Sequence, residues 1–309
     1  MTSPFGPLSL IVNPRAGGRS GTRRLDHLRR TLDEAELTHD VLATERPGDA
    51  TRLAANALGE GGRFLVAVGG DGTVHEVVNG MLGPDGDPVA PDAVLGVVAA
   101  GSGCDFIRTF GLPAEPRAAA LSLVGGAVRR LDVARVSYLD AGGRPSARFF
   151  ANIAEAGLGA DTAARAVRLP GFLGRSRYLV AFWAVLPGYR ARDVQIDVDG
   201  ETAYEGRVVN VVAANCRYFG GGMQISPQSD PADGVLDLLV FHGRKTDSFT
   251  MLPKIYRGAH LPHPRVTELR GRRVTVTSKE PLSVEADGEV LGSSPVTIEV
   301  VPSAITLKV

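Results

Sequence analysis

The first hundred residues alternate between short continuous apolar runs and longer segments in which apolar positions recur every three or four residues. Residues 8–12, 38–44, 64–68 and 93–99 have strand length and read as buried strands. Between them, Leu25, Leu28, Leu32 and Ala35 mark one amphipathic helix, and Leu53, Ala54, Ala57 and Leu58 mark another that opens at Gly48-Asp49-Ala50. Val74, Val77 and Val78 place a third helix directly after the 64–68 run, with Thr73 as its cap. Strands that alternate with helices predict a parallel sheet, and ligands of such sheets gather beyond the carboxyl ends of the strands.

From Leu131 the texture changes. Short alternating runs bounded by Gly, Asp and Pro occupy 131–136, 148–153, 194–198, 207–212, 235–241, 274–277 and 296–300, the pattern of an antiparallel sandwich or barrel-like domain. One helical island at 174–186 carries the only Trp, Trp183, and is stopped by Pro187-Gly188. Arg165, Arg168, Arg175, Arg177, Arg190 and Arg192 flank it, so it suits either a cover for a sheet or a face resting on an anionic bilayer. The fold expected is an α/β domain with a parallel sheet over 1–130, then a β-rich, antiparallel sandwich-like domain over 131–309 with one helical insertion.

Three strand ends run into glycine turns: Asn13-Pro14-Arg15-Ala16-Gly17-Gly18, Gly69-Gly70-Asp71-Gly72-Thr73 and Gly101-Ser102-Gly103-Cys104-Asp105. Missing side chains let backbone N–H groups approach a phosphate, and a helix N-terminus favours the anion. Asp71 would repel a bare phosphate. A divalent cation removes that conflict, so the central loop suits a metal-complexed nucleoside triphosphate. On one sheet edge, Asn13, Asp71, Ser102 and Asp105 would line one cleft. In the second domain, Asp230 and Asp233 sit in an oxygen-rich loop that fits either Mg²⁺ or an Asp-Gly hairpin turn. Asp287-Gly288-Glu289 offers a general base for a hydroxyl, but Asp199-Gly200-Glu201 repeats the tripeptide and spacing does not separate the two.

Composition narrows the class. A chain of 309 residues that is 44% hydrophobic can fill a core in each of two domains. Thirty-four basic residues balance 34 acidic ones, so no overall field argues for a nucleic-acid partner. Cys104 and Cys216 stand far apart, against a disulfide framework or a zinc site, and a reducing cytosol is the simplest home. The N-terminus has no leader pattern and no run reaches the roughly 18 apolar residues of a spanning helix, so membrane contact is expected to be peripheral.

Taken in order, Asn13 to Gly18, Gly69 to Thr73, Gly101 to Phe106, the Asp230–Asp233 loop and Asp287 to Glu289 resemble the diacylglycerol kinase catalytic-domain family. That family includes bacterial soluble lipid kinases, sphingosine kinases and ceramide kinases, and the likeness spans nearly the whole chain. The GGDGT motif by itself also occurs in NAD kinases and phosphofructokinases. The resemblance implies an NAD kinase/phosphofructokinase-like first domain, ATP held between the domains, and a last strand that returns to the first domain. By position it implies that Thr44, Gly69, Gly70, Asp71, Gly72, Thr73, Val74, His75 and Ser102 contact ATP, with Arg108 near the phosphates. Asp71 and Asp105 would organise a catalytic Mg²⁺. Asp230, Asp233 and the Val235 carbonyl would hold a structural one, and Glu289, not Glu201, would be the base.

Three positions depart from the family pattern: Cys104 and His75 stand where Asn is usual, and Ser102 where Thr is usual. Cysteine gives up an amide donor and acceptor. The activity implied is ATP- and Mg²⁺-dependent transfer of the γ-phosphate to a lipid hydroxyl such as that of diacylglycerol. The setting implied is the cytoplasm, with transient contact at the inner face of the membrane, and homodimers are a family precedent. The alternatives are a kinase for a soluble substrate such as NAD, or a nucleotide- or lipid-binding regulator without catalysis.

Overall fold

The computed structural model describes residues 3–17, 19–100, 104–170, 173–174 and 176–309, with backbone alone at 19–22. They form two compact units, 1–132 with 302–309 and 133–301. Ser102 and Arg175 lie outside the described residues.

The first unit runs β1 (Leu8–Val12), α1 (Arg19–Glu34), β2 (His39–Ala43), α2 (Asp49–Gly59), β3 (Phe64–Gly69), α3 (Asp71–Met81), β4 (Val94–Ala99), α4 (Asp105–Phe110) and α5 (Pro116–Ser122). Its sheet is parallel: β1 lies between β2 and β3, with Leu10 opposite Val41 and Val66, and β3 pairs with β4. Every residue of β3 and β4 is buried. That is why these strands are continuous apolar runs rather than alternating ones. Leu28 and Leu32 of α1 join Phe64, Val66, Val94 and Leu123 in one core. Helices α2 and α3 pack closely because Gly80 has no side chain; a Cβ there would lie 2.3 Å from the Thr51 carbonyl oxygen. Glu76 of α3 caps α2, its two carboxylate oxygens accepting from the Gly48 and Ala50 amides at 2.9 Å each.

The chain then continues through β5 (Val128–Leu139), β6 (Pro145–Phe150), β7 (Ile153–Gly157), α6 (Leu158–Val167), α7 (Ser176–Val185), β8 (Arg192–Val198), β9 (Glu201–Val208), β10 (Asn210–Ala214), β11 (Tyr218–Phe219), β12 (Met223–Gln224), β13 (Leu236–Phe241), α8 (Asp247–Ile255), β14 (Val266–Gly271), β15 (Arg273–Ser278), β16 (Ser283–Ala286) and β17 (Glu289–Lys308). In the second unit β14, β13, β10, β7, β16 and the start of β17 follow one another as antiparallel neighbours. The period of two sorts β10 and β13 into two faces. Val211, Ala213, Leu238 and Val240 enter one core, whereas Val212, Ala214 and Leu239 enter another with Met251 and Ile255 of α8. The end of β17 belongs to the first unit, where Thr306 and Leu307 pair parallel with Val94 and Leu95 of β4.

The sequence pattern predicts one helical insertion in this second unit; among the described residues it carries α6, α7 and α8. Alanine and glycine weaken the apolar period of α6, and Pro253 interrupts that of α8.

Phe64 is fully buried and edge-packed on Phe5 at 5.6 Å. Phe64→Ala is expected to lower the unfolding free energy by about 3–5 kcal/mol, measurable as a shifted urea midpoint with unchanged slope.

Candidate active site

At the carboxyl edge of the first sheet, backbone hydrogen bonds bring the strand ends together. Thr44 N donates to the Val12 carbonyl at 2.9 Å, Asn13 N to the Val68 carbonyl at 3.0 Å and Ala100 N to the Gly69 carbonyl at 2.8 Å. Gly69 ends β3 and Gly70 caps α3 without a side chain, so no side-chain oxygen of the cap competes for the first-turn amides. A Cβ on Gly69 would lie 2.2 Å from Thr73 Oγ1; only glycine allows Thr73, itself buried, to fold back over the strand end.

Asp71 does something the motif did not reveal. Its Oδ1 accepts from the Phe106 amide at 3.0 Å, tying the central glycine turn to the turn after β4. Asp105, 3% exposed, begins α4 and pairs with Arg108 at 3.3 Å. Cys104 has φ 56° and ψ 46°, the left-handed region in which asparagine is several-fold enriched. That conformation suits Asn better than Cys. Asn13 accepts from Arg15 N through Oδ1 at 3.0 Å. Val74 and His75 are buried inside α3, with Asn79 donating to the His75 carbonyl at 2.8 Å.

In the second unit the two Asp-Gly-Glu tripeptides form the same turn: Asp287 and Gly288 have φ 51° and 86°, Asp199 and Gly200 52° and 92°. Both are pinned by the aspartate, and Glu289 and Glu201 are both exposed. The tethers differ. Asp287 accepts from the Ala151, Asn152 and Ile153 amides at 3.0–3.1 Å, whereas Asp199 accepts from those of Arg272 and Arg273. In addition, Gly288 N donates to the buried carboxyl of Glu285 at 2.7 Å.

Loop 230–235 brings Asp230 and Asp233 together through an Asp233 N to Asp230 carbonyl bond of 3.3 Å. Asp233 accepts from Val235 N at 3.1 Å and pairs with Arg270, which also reaches Asp237 at 2.9 Å. These neighbouring aspartates hold the Arg270 guanidinium protonated still more firmly than usual. The oxygen-only set of Asp230, Asp233 and the Val235 carbonyl suits a hard cation, which would share Asp233 with Arg270. Among the described residues no group of three or more His, Cys, Asp or Glu side chains is arranged to hold a metal.

The second unit also holds a site that the motifs did not indicate. A cavity open to solvent lies among α6, α7, α8 and the sheet. Phe182, Phe219, Met223, Ile225, Met251 and Ile255 supply apolar wall; Glu155, Tyr178 and Asn210 supply polar atoms, and Arg244 and Arg265 add charge. The cavity's lining, mostly apolar with a few convergent polar groups, has the composition of small-molecule sites. Its sequence signal is thin, because lining residues come from six separate stretches between 155 and 265.

Residues 7–136 match the diacylglycerol kinase catalytic domain, and residues 152–309 match the YegS C-terminal NAD kinase beta sandwich-like domain. A diacylglycerol kinase of Bacillus subtilis is 29% identical over 289 residues, covering 93% of this chain and 90% of its own. The crystal structure of a diacylglycerol kinase from Bacillus anthracis superposes with a TM-score of 0.74 at 24% identity, covering 99% and 97% of the two chains. An NAD kinase from Archaeoglobus fulgidus, solved in complex with ATP, shares the fold at a TM-score of 0.50 and 15% identity over 98% and 93%.

Removing the Asp287 carboxylate leaves its amide donors without their acceptor. Asp287→Ala should destabilise by about 3 kcal/mol and Asp199→Ala, at an exposed turn, by about 1 kcal/mol, read as the difference between their denaturant midpoints.

Proposed function

We infer the function from one premise, that the chain belongs to the family joining a diacylglycerol kinase catalytic domain to a YegS C-terminal NAD kinase beta sandwich-like domain. On that premise the protein is a lipid kinase, and we propose that it transfers the γ-phosphate of ATP, with Mg²⁺, to a lipid hydroxyl such as that of diacylglycerol. The observation that carries the lipid rather than a soluble substrate is the cavity of the second unit, whose walls are mostly aliphatic and aromatic. A dinucleotide such as NAD would leave its polar groups unpaired against that lining.

In this reading the amides of Gly70, Asp71 and Gly72 cradle the phosphates, the Thr73 amide being taken by the Gly70 carbonyl at 2.9 Å, and the α3 N-terminus favours their charge. Arg108, about a third exposed beside Asp105, adds positive charge near the same strand ends. Glu289 takes the proton of the attacking hydroxyl. Asp71 and Asp105 are hard oxygen donors of the type that Mg²⁺ prefers, and would hold it or its waters. Mg²⁺ bound with the nucleotide supplies neutralisation of the phosphate oxygens. Asp230, Asp233 and the Val235 carbonyl would hold a second, structural ion.

Contact with the bilayer is proposed at the helices bordering the cavity. Val180 is 42% exposed, Phe249 64% and Tyr256 43%, and Trp183 lies on Phe249 at 4.7 Å; Arg244 and Arg265 line the cavity, and Lys245 donates to the Pro187 carbonyl just after α7. Apolar rings beside cations fit an anionic interface. No helix among the described residues is long and apolar enough to cross a membrane. The proposed setting is cytoplasmic, with visits to the inner leaflet.

Labelled ATP offered with diacylglycerol and, separately, with NAD should give a labelled lipid only; labelled NAD would overturn the assignment. Glu289→Gln should cost on the order of 10²–10⁴-fold in kcat and Asp71→Ala should abolish transfer, whereas Glu201→Gln stays near wild type. Met251→Trp should raise KM for long-chain diacylglycerol and leave a short-chain analogue unaffected.

A further inference from the structure

Glu155 and Glu285 are each 3% exposed and stand directly opposite one another where β7 pairs with β16. Two ionised carboxylates there would repel each other out of reach of water. The surrounding donors show how the pair is kept. Asn210 Oδ1 accepts from Gly159 N at 3.0 Å, which turns the Asn210 amide nitrogen to Glu155 Oε1 at 2.7 Å. Tyr178 Oη donates to Glu155 Oε2 at 3.1 Å. On the other side Glu285 Oε2 accepts from Gly288 N. With the two carboxyls buried and facing each other across the β7–β16 pair, a proton between them relieves the repulsion and lets one donate to the other. Glu155 already takes two side-chain donors, so the proton belongs on Glu285. Gly159 leaves room for the arrangement, since a Cβ there would lie 2.2 Å from Glu155 Oε2.

We propose that Glu155 and Glu285 share a single proton and act as positioning residues, tying the cavity wall at Tyr178 to the turn that carries Glu289. The path is continuous: Tyr178 on α7, Glu155 on β7, Glu285 on β16, then the Gly288 amide beside Glu289. A chain lodged in the cavity bears on Tyr178, which lines it, so occupancy is transmitted to the turn. The catalytic half of this inference rests on the phosphoryl-transfer reading above; the shared proton does not.

Burial raises both carboxyl pKa values, and for Glu285 the Glu155 charge and then Asp287 add to it. Other ionisable groups around the pair are Asp161 of α6, bonded to Ser283 Oγ, Tyr178 with Tyr256 behind it, and Arg244 and Arg265 along the cavity. With both folded values above the unfolded ones, the stabilising effect of the proton is complete below the ordinary carboxylate range. It is lost as pH rises through the raised values.

Glu285→Gln replaces the shared proton with an amide that donates to Glu155, while its carbonyl still accepts from Gly288 N. Thermal melts of wild type and Glu285→Gln across pH should therefore diverge, the wild type losing stability toward alkali relative to the variant. Parallel melting profiles would overturn the shared proton. For positioning, Tyr178→Phe should speed amide exchange at Gly288 and lower kcat on diacylglycerol by about tenfold or more. Unchanged exchange at Gly288 would overturn the tie. Divergent melts together with a wild type that phosphorylates no lipid would remove the kinase reading and leave the proton pair standing; parallel melts in an active enzyme would do the reverse.

Discussion

The bond from the Phe106 amide to Asp71 Oδ1 is the constraint on which the first unit's site depends. Glycine turns are permissive by nature, and their value to a ligand lies in being held still. Here a carboxylate in one turn fixes the backbone of another that is 35 positions away. The same device recurs wherever this chain needs a loop in one place. Glu76 holds the entry to α2, Asp287 holds 151–153 and Asp199 holds 272–273. An acceptor with two oxygens satisfies several backbone donors at once, and charge assistance makes those bonds stronger than neutral ones.

The second unit solves a different problem. Its sheet has apolar residues on both faces, one closed by strand packing and the other by α7 and α8 with a cavity left between. For the lipid substrate proposed, that open face is where selectivity would reside, because an apolar wall discriminates chain length and bulk rather than hydrogen-bonding pattern. The buried carboxyl pair under the cavity is the exception to this apolar design. Asn210, Tyr178 and the Gly288 amide supply donors to three of its four oxygens.

Much of the first unit was legible in the sequence. Phe64 to Val68 and Val94 to Val98 are buried on both faces, so their apolar runs carried the strand signal without ambiguity, and glycines marked where each strand turned. Helices α6 and α8 were missed for want of a clean period. The Asp199 and Asp287 turns show a harder limit. Their dihedral angles nearly coincide because the tripeptide is the same, and what separates them is which distant amides each aspartate meets. Glu155 and Glu285 likewise meet only through the pairing of β7 with β16. A cavity assembled from scattered segments is invisible for the same reason.

The last strand carries a consequence for how the molecule is made. The first unit draws on both 1–132 and 302–309, and the inner sheet neighbour of β4 is supplied by Thr306 and Leu307. During synthesis from the N-terminus, that edge of β4 stays unpaired until all of 133–301 has left the ribosome. An apolar strand with an open edge invites mispairing with other nascent chains. The interval between translating residue 132 and residue 307 is thus the window in which the protein most needs chaperone cover.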